Sequence, residues 1–169
     1  MVVRALQAAG HNALLLVGGS TGLIGDPKQA GERAMNPREV VAGWVDNLRE
    51  QMSKFVQLDG PNPVRFVNNY DWTSELNTID FLRDIGKHFS VNRMLARDVV
   101  ARRLESGGIS YTEFSYVLLQ SLDYLELYRR YGCTLQTGAQ DQWGATSPPE
   151  STWSGAPRGP AYTAWSRRC

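Results

Sequence analysis

Three polar side chains recur at helical spacing in a stretch that is otherwise apolar. Tyr116, Gln120 and Asp123 stand at positions i, i+4 and i+7 of the segment Phe114–Tyr131, which contains no Gly or Pro. Residues with this spacing share one face of a helix. A phenol, an amide and a carboxylate aligned in this way can hold a small polar ligand. Each of them taken singly is also typical of a half-buried residue that hydrogen-bonds within its own fold.

The chain changes character directly after this helix. Gly132 is a helix stop signal, and Cys133–Thr137 follows as a candidate strand. The next residues, Gly138–Gly144, form a predicted loop rich in side-chain oxygens and amides. A polar helix face followed by a strand that ends in such a loop is typical of the ligand-binding edge of an α/β sheet.

Two segments predict strands of that sheet. Ala13–Val17 is a continuous apolar run suited to a buried parallel strand, and Val64–Asn69 is a second candidate. The turn between Gly18 and Pro27 matches neither the P-loop spacing nor G-x-G-x-x-G. Pro37 suits the first position of a helix. Periodicity and breaker residues predict helices at 1–9, 36–58, 76–85 and 98–105.

Composition indicates a globular protein with one packed core. The chain has 169 residues, of which 42% are hydrophobic, and a net charge of +1, so it suits one packed core and carries no strong field toward nucleic acid or membrane. Two cysteines, Cys133 and Cys169, are too few for a disulfide framework, and a reducing cytoplasm is the expected location. No run reaches transmembrane length, and nothing is similar to a signal peptide.

Several longer motifs carry a family resemblance. They are V-G-G-S-T-G-L-I-G-D-P at 17–27, N-Y-D-W at 69–72, G-K-H-F-S-V-N-R-M-L at 86–95, Y-T-E-F-S-Y at 111–116, C-T-L-Q-T-G at 133–138 and D-Q-W-G at 141–144. Together with Gln120 and Asp123, they make the chain resemble the catalytic domain of bacterial tyrosyl-tRNA synthetases, the tyrosine–tRNA ligases of class I. The resemblance implies an α/β, Rossmann-like class I aminoacyl-tRNA synthetase catalytic core. Ala139 and Gln140 replace the Gly and Ser usual in the family.

The resemblance also implies roles for particular residues, none of them a catalytic residue or a metal ligand. The implied tyrosine-binding residues are Asp26, Asn69, Tyr116, Gln120, Asp123 and Gln136. Of these, Asp26, Tyr116 and Gln120 would bind the ammonium group, and Asp123 would accept a hydrogen bond from the phenol. The implied contacts to ATP and the activated intermediate are Gly138, Asp141 and Gln142.

The implied reaction joins tyrosine to ATP and then to tRNA(Tyr), with Mg²⁺ accompanying the ATP, in a homodimer that needs no membrane. Lys28 and Arg33 lie where the family has a mobile basic loop over the ATP phosphates, although ordinary solvated charge explains them equally well. His88 has no Cys, Asp or second His at a useful spacing, which favours a structural or interface histidine.

The resemblance covers 1–144 and stops there, so we expect a partial catalytic domain followed by a disordered tail at 145–169, rich in Pro, Ser and Gly. Back-translated with GC-rich codons, the tail in another reading frame gives N-I-T-A-G-V-D-L-V-R-R-A, as the family continues, which is the basis of a frameshift hypothesis. The family's first strand, its His-x-Gly-His helix start and its Lys-Met-Ser-Lys-Ser loop do not occur in the printed sequence.

Three functions therefore stay open. The first is a tyrosine–tRNA ligase. The second is a catalytically inactive remnant of one, such as a pseudogene product or a dimerising partner for an intact enzyme, because the ATP signature motifs are absent from the sequence. The third is an unrelated nucleotide-binding module, which the motifs at 111–116 and 141–144 disfavour.

Overall fold

The computed structural model describes residues 2–28 and 31–137. The chain divides into two compact units. The first unit comprises Met1–Leu23 and Met35–Ser74, and the second comprises Ile24–Ala34 and Glu75–Cys169. The predicted boundary between 144 and 145, the predicted disorder of 145–169, and Gly138, Asp141 and Gln142 lie outside the described residues.

A pair of parallel strands forms the centre of the first unit. Strand β1 (Leu14–Val17) pairs with β2 (Arg65–Asn68) in a register that runs from Leu14 opposite Arg65 to Val17 opposite Asn68. Both strands lie within the predicted apolar runs, which confirms their type and parallel direction. Parallel neighbours need a crossover connection, and the long helix between them, α3 (Arg38–Ser53), packs against β1.

Helix α3 is shorter than the predicted 36–58. Pro37 has φ −57° and ψ 148°, so it precedes the helix rather than opening it, and the helix begins at Arg38. At the other end, the Ser53 hydroxyl donates to the Glu50 carbonyl at 2.6 Å, a local bond that competes with continuation of the helix. Val41 is buried, whereas Trp44 and other apolar residues of α3 are exposed.

Besides α3, three short helices begin in the first unit. They are α1 (Val2–Ala8), α2 (Thr21–Ile24) and α4 (Tyr70–Thr73). The chain leaves α1 through Gly10, whose φ of 88° favours glycine. Gln7 anchors α1 because its buried amide donates to the carbonyls of Gln57 and Asn62, each at 2.8 Å.

The regular elements in the described part of the second unit are helices and helical turns. Asn77 caps α5 (Thr78–Asp80) by accepting from Ile79 N at 2.8 Å. The chain then continues as a π-helical turn at Phe81–Ile85 and a 3₁₀ turn at Gly86–His88, where the sequence predicts one helix at 76–85. The remaining helices are α6 (Val91–Leu95), α7 (Asp98–Ser106) and α8 (Tyr111–Tyr131).

Helix α8 supplies most of the core of this unit. Its buried Val117 and Leu118 cluster with Met94 of α6, and the partly buried Phe81, Phe89 and Phe114 pack against this cluster. The helix starts three residues before the predicted Phe114, because the Ser110 hydroxyl caps it by accepting from Glu113 N at 3.3 Å. It ends, as predicted, at Gly132, which has φ 64°.

The prediction of a strand at Cys133–Thr137 is wrong for the described chain. Residues 132–136 have no regular structure, and Thr137 forms only an isolated bridge. A strand needs a partner along its length, and local β-propensity does not provide one.

Candidate functional site

The three polar residues of α8 share one helical face, as their spacing predicts. Tyr116 and Gln120 are half-buried, whereas the side chain of Asp123 is 4% exposed and follows Leu122, which is 2% exposed. Aspartate is rarely buried to this extent without partners for its charge. The face therefore presents a phenol, an amide and a buried carboxylate, a set that can both donate and accept hydrogen bonds.

Asp26 belongs to the same unit as α8 and lies on an exposed connector. The Arg33 side chain donates from Nε to the carbonyl of Asp26, and its Cδ lies so close to Gly25 that a Cβ there would overlap it. Burial lowers the pKa of Arg97, and the nearby Asp26 carboxylate acts in the opposite direction. The Asp26 carboxylate is therefore close enough to Arg97 to interact electrostatically with it.

Asn69 belongs to the first unit and is 1% exposed. Its Oδ1 accepts from Ser20 N at 2.8 Å, and its Nδ2 donates to Thr21 Oγ1 at 3.0 Å. Its carbonyl accepts from the Thr73 hydroxyl at 2.7 Å. Asn69 thus joins the end of β2 to the loop after β1. Its contribution to a tyrosine pocket stays a prediction.

Gln136 is half-buried in the second unit. Its Nε2 is buried and has no hydrogen-bond partner among the described residues. The predicted polar loop begins two residues later, beyond the part of the chain that the structure describes. The role of Gln136 in supporting the pocket stays a prediction.

One buried ion pair in the second unit was not predicted from the sequence. Arg103 of α7 and Glu113 of α8 are 4% and 2% exposed, and Arg103 Nη1 lies 2.8 Å from Glu113 Oε2. Two carbonyls accept from the same nitrogen, that of Lys28 at 3.2 Å and that of Gly31 at 2.7 Å. Glu113 Oε2 accordingly accepts no directed hydrogen bond from any described residue and is held by charge.

Residues 2–28 and 31–137 contain no group of three His, Cys, Asp or Glu side chains that could hold a metal ion. No helix within them is both long and apolar enough to cross a bilayer.

Residues 1–147 match the family described as tRNA synthetases class I (W and Y). The chain belongs to this family. Its fold is that of a class I tRNA synthetase catalytic domain, represented in the described residues by helices and a small parallel sheet. The predicted family and fold class are both confirmed.

Individual relatives agree with this assignment. The chain is 74% identical over 144 residues to the tyrosine–tRNA ligase of Cutibacterium acnes and 60% identical over 144 residues to that of Kineococcus radiotolerans. Each match covers 85% of this chain and 34% of the relative, so the chain spans about a third of the length of these proteins. Among solved structures, the C-terminally truncated mitochondrial tyrosyl-tRNA synthetase of Coccidioides posadasii is 23% identical with a TM-score of 0.71. That match covers 95% of this chain and 51% of the other, and it supports the fold.

The sequence of this synthetase chain predicts α7 as a helix at 98–105 but does not single out Arg103 as a functional residue. One signal was available, since Arg103 stands three residues after the buried Val100 and so lies on the same helical face. A second was the Ser110-x-x-Glu113 pattern of a capping box. Its serine caps α8, while the Glu113 carboxylate contacts Arg103 and Arg33.

Proposed function

We propose that this chain is the tyrosine-binding part of a tyrosine–tRNA ligase. The observation that carries the proposal is the 74% identity over 144 residues to a protein named tyrosine–tRNA ligase. The face of α8 supports it, because the helix aligns Tyr116, Gln120 and Asp123 and buries the carboxylate. Residue types and burial are both suited to an amino acid with a phenol at one end and an ammonium group at the other.

Each polar group of tyrosine has a proposed partner. Asp26, Tyr116 and Gln120 bind the ammonium group, and Asp123 accepts a hydrogen bond from the phenol hydroxyl. The burial of Asp123 strengthens that bond, because hydrogen bonds to a charged group gain in a medium of low dielectric constant. Gln136 supports the pocket, and Asn69 contributes by fixing the loop after β1, whose Ser20 N it binds at 2.8 Å.

The proposed reaction begins when the tyrosine carboxylate attacks the α-phosphorus of ATP and releases pyrophosphate. The tyrosyl group then passes to tRNA(Tyr). The protein's part is to position the reactants and stabilise developing charge. Gly138, Asp141 and Gln142 are proposed to contact the nucleotide. Mg²⁺ would arrive with the ATP phosphates, because magnesium is commonly held by phosphate and water with few protein ligands.

The proposed partner is a second copy of the chain. Several apolar residues of the second unit are exposed: Ile79, Leu82, Val91, Leu95, Leu104 and Tyr111. These side chains are accessible to a partner, and burial of apolar surface is the main driving force of most protein association. Analytical ultracentrifugation tests the proposal: a concentration-independent monomer would contradict it, and Val91→Asp should shift a dimer toward monomer.

Calorimetric titration of the 169-residue chain with tyrosine and with phenylalanine tests the proposed site. We expect tyrosine to bind more tightly, because a pocket built to accept from a hydroxyl rejects the analogue that lacks it, a contrast for which tyrosyl-tRNA synthetase is the standard example. Equal affinity for the two amino acids would contradict the proposal.

The alternative, a catalytically inactive remnant, makes a separate prediction. If it is right, the chain gives no tyrosine-dependent exchange of pyrophosphate into ATP, even where it binds tyrosine. Exchange clearly above a control without tyrosine would eliminate it and support the ligase.

A further inference from the structure

The connector that carries Asp26 is held by charged groups from two helices. Arg103 of α7 donates to the carbonyls of Lys28 and Gly31. Glu113 of α8 accepts from the backbone N–H of Arg33 through Oε1 at 2.9 Å. The two side chains contact each other at 2.8 Å, so one buried ion pair fixes the backbone of the connector at three described residues.

These contacts close a ring that returns to Asp26. The Arg33 side chain donates to the carbonyl of Asp26, while its N–H donates to Glu113. From Glu113 the ring passes to Arg103 and then to the carbonyl of Lys28, two residues after Asp26. We define the clamp as Arg103, Glu113 and the three connector residues that these two side chains bond, Lys28, Gly31 and Arg33.

The short backbone segment within the ring is itself stiff. Pro27 separates Asp26 from Lys28, and its ring fixes φ near about −65°. The residue before a proline is also restricted to extended conformations, so Asp26 has little backbone freedom of its own. The clamp therefore removes most of the remaining freedom of the Asp26 main chain, although the side chain is exposed.

A buried ion pair is a poor device for stability alone. Removing two charges from water costs about as much as their attraction returns, and well-packed apolar residues often serve as well or better. Arg103 also donates from Nη1 to two distant backbone carbonyls, which apolar residues cannot do. It specifies the position of the chain that it bonds.

We propose that Arg103 and Glu113 are positioning residues that present the Asp26 carboxylate to the ammonium group of tyrosine. The identity of the ligand, tyrosine, rests on the proposed function. That Arg103 and Glu113 hold the connector rests on the contacts alone. It assigns to two residues of α7 and α8 a part in amino-acid recognition that acts through Asp26.

Hydrogen exchange tests the first half of this proposal in the 169-residue chain without any ligand. In Arg103→Lys and Glu113→Gln, the amide of Arg33 should exchange at least about tenfold faster, and trypsin should cleave after Arg33 faster. Exchange in the middle of α8 requires wider unfolding, so it should accelerate by no more than the loss of stability of the same variant, measured by urea denaturation, predicts. Arg102→Lys, an exposed neighbour on α7, is the matched control and should behave as the unsubstituted chain. An Arg33 amide that stays equally protected in both variants overturns the proposal.

Binding of two ligands tests the second half. The analogue 3-(4-hydroxyphenyl)propionate is tyrosine without its amino group, so it has nothing to offer Asp26. Arg103→Lys should lower the affinity for tyrosine by about tenfold and the affinity for the analogue by less than about twofold. Adding Arg103→Lys to Asp26→Asn should lower the affinity for tyrosine no further, because both changes remove the same interaction.

The possible outcomes separate the two proposals. Equal weakening of both ligands shows a merely structural role and overturns the positioning role. Full additivity of Arg103→Lys with Asp26→Asn overturns it as well. If the unsubstituted chain does not bind tyrosine, the proposed function and the ligand half fail together, and the exchange result still decides whether the ion pair holds the connector.

Discussion

Each of the two units contains a buried polar cluster that ties a glycine-containing segment to regular structure, and we compare one from each. In the first unit the cluster is neutral: the amide of Asn69 joins Ser20 and Thr21 to the end of β2. In the second unit it is charged: Arg103 and Glu113 hold the connector next to Asp26. The geometric task is similar, but the chemistry that performs it differs.

The difference predicts how each cluster fails. A neutral amide that loses one partner leaves a buried donor or acceptor unsatisfied, which costs about 1–3 kcal/mol. A buried ion pair that loses one partner leaves a full charge in the interior, which costs about 3–5 kcal/mol. The charged cluster should therefore lose more stability than the neutral one when one partner is removed. While intact, it should also restrict its segment more strongly.

Glu113→Ala should have the largest effect, a loss of about 3–5 kcal/mol in the free energy of unfolding, because Arg103 is left buried without its counter-ion. Urea denaturation measures it. Glu105→Ala, at an exposed position on α7, is the control and should change stability by less than about 0.5 kcal/mol. A loss below about 1 kcal/mol for Glu113→Ala would show that the two clusters do not differ as argued.

The regular elements of both units were largely predictable, because local pattern determines them. Both strands and α8 follow from apolar runs, and Gly132 ends α8 where the sequence places a stop. The π-helical turn at Phe81–Ile85 was not predictable, because helical periodicity in the sequence does not distinguish a single π turn from an α-helix. The predicted strand at Cys133–Thr137 failed because strands depend on partners.

Asp123→Ala should weaken tyrosine binding by about 1.5–3 kcal/mol, or tenfold and more, because it removes a charged acceptor for the phenol. It should also erase the preference for tyrosine over phenylalanine. Calorimetric titration with both amino acids measures this. The result sharpens the comparison of the two clusters. Asp123 is also a buried carboxylate of the second unit, but it is assigned to a ligand and not to the connector. An undiminished preference would make Asp123 a structural residue.

Asn69→Ala should destabilise the chain by about 1–3 kcal/mol, because Ser20 N and the Thr21 hydroxyl lose their partner. Urea denaturation again provides the measurement. Asn47→Ala, at an exposed position on α3, is the control. If Asn69→Ala costs more than Glu113→Ala, the neutral cluster is the stronger anchor and the comparison is reversed.

The candidate site was predictable only in part, for a related reason. Tyr116, Gln120 and Asp123 lie within one helix, so spacing alone places them on one face. Arg103 reaches carbonyls 75 and 72 positions away in the chain, at Lys28 and Gly31. No local pattern encodes such a contact. The groups proposed to touch the ligand were therefore visible in the sequence, whereas the groups proposed to position them required the fold.

The smallest predicted effects compare one substitution in both units. Gly132 ends α8 in the left-handed region at φ 64°, and its N–H donates to Tyr128 O at 2.8 Å, the bond of an αL cap. Gly43 lies inside α3. A Cβ added at either glycine meets no atom within 4 Å, so packing cannot decide the outcome.

Backbone conformation alone should then set the sign of each change. Gly132→Ala should cost about 1 kcal/mol, because an L residue is strained in the left-handed region. Gly43→Ala should gain about 0.5–1 kcal/mol, because alanine loses less backbone entropy in a helix. Gly132→Asn should lose less than Gly132→Ala, since asparagine tolerates this region. Urea denaturation of the three variants checks the order. A stabilising Gly132→Ala would contradict this account, because it would mean that α8 continues past Gly132.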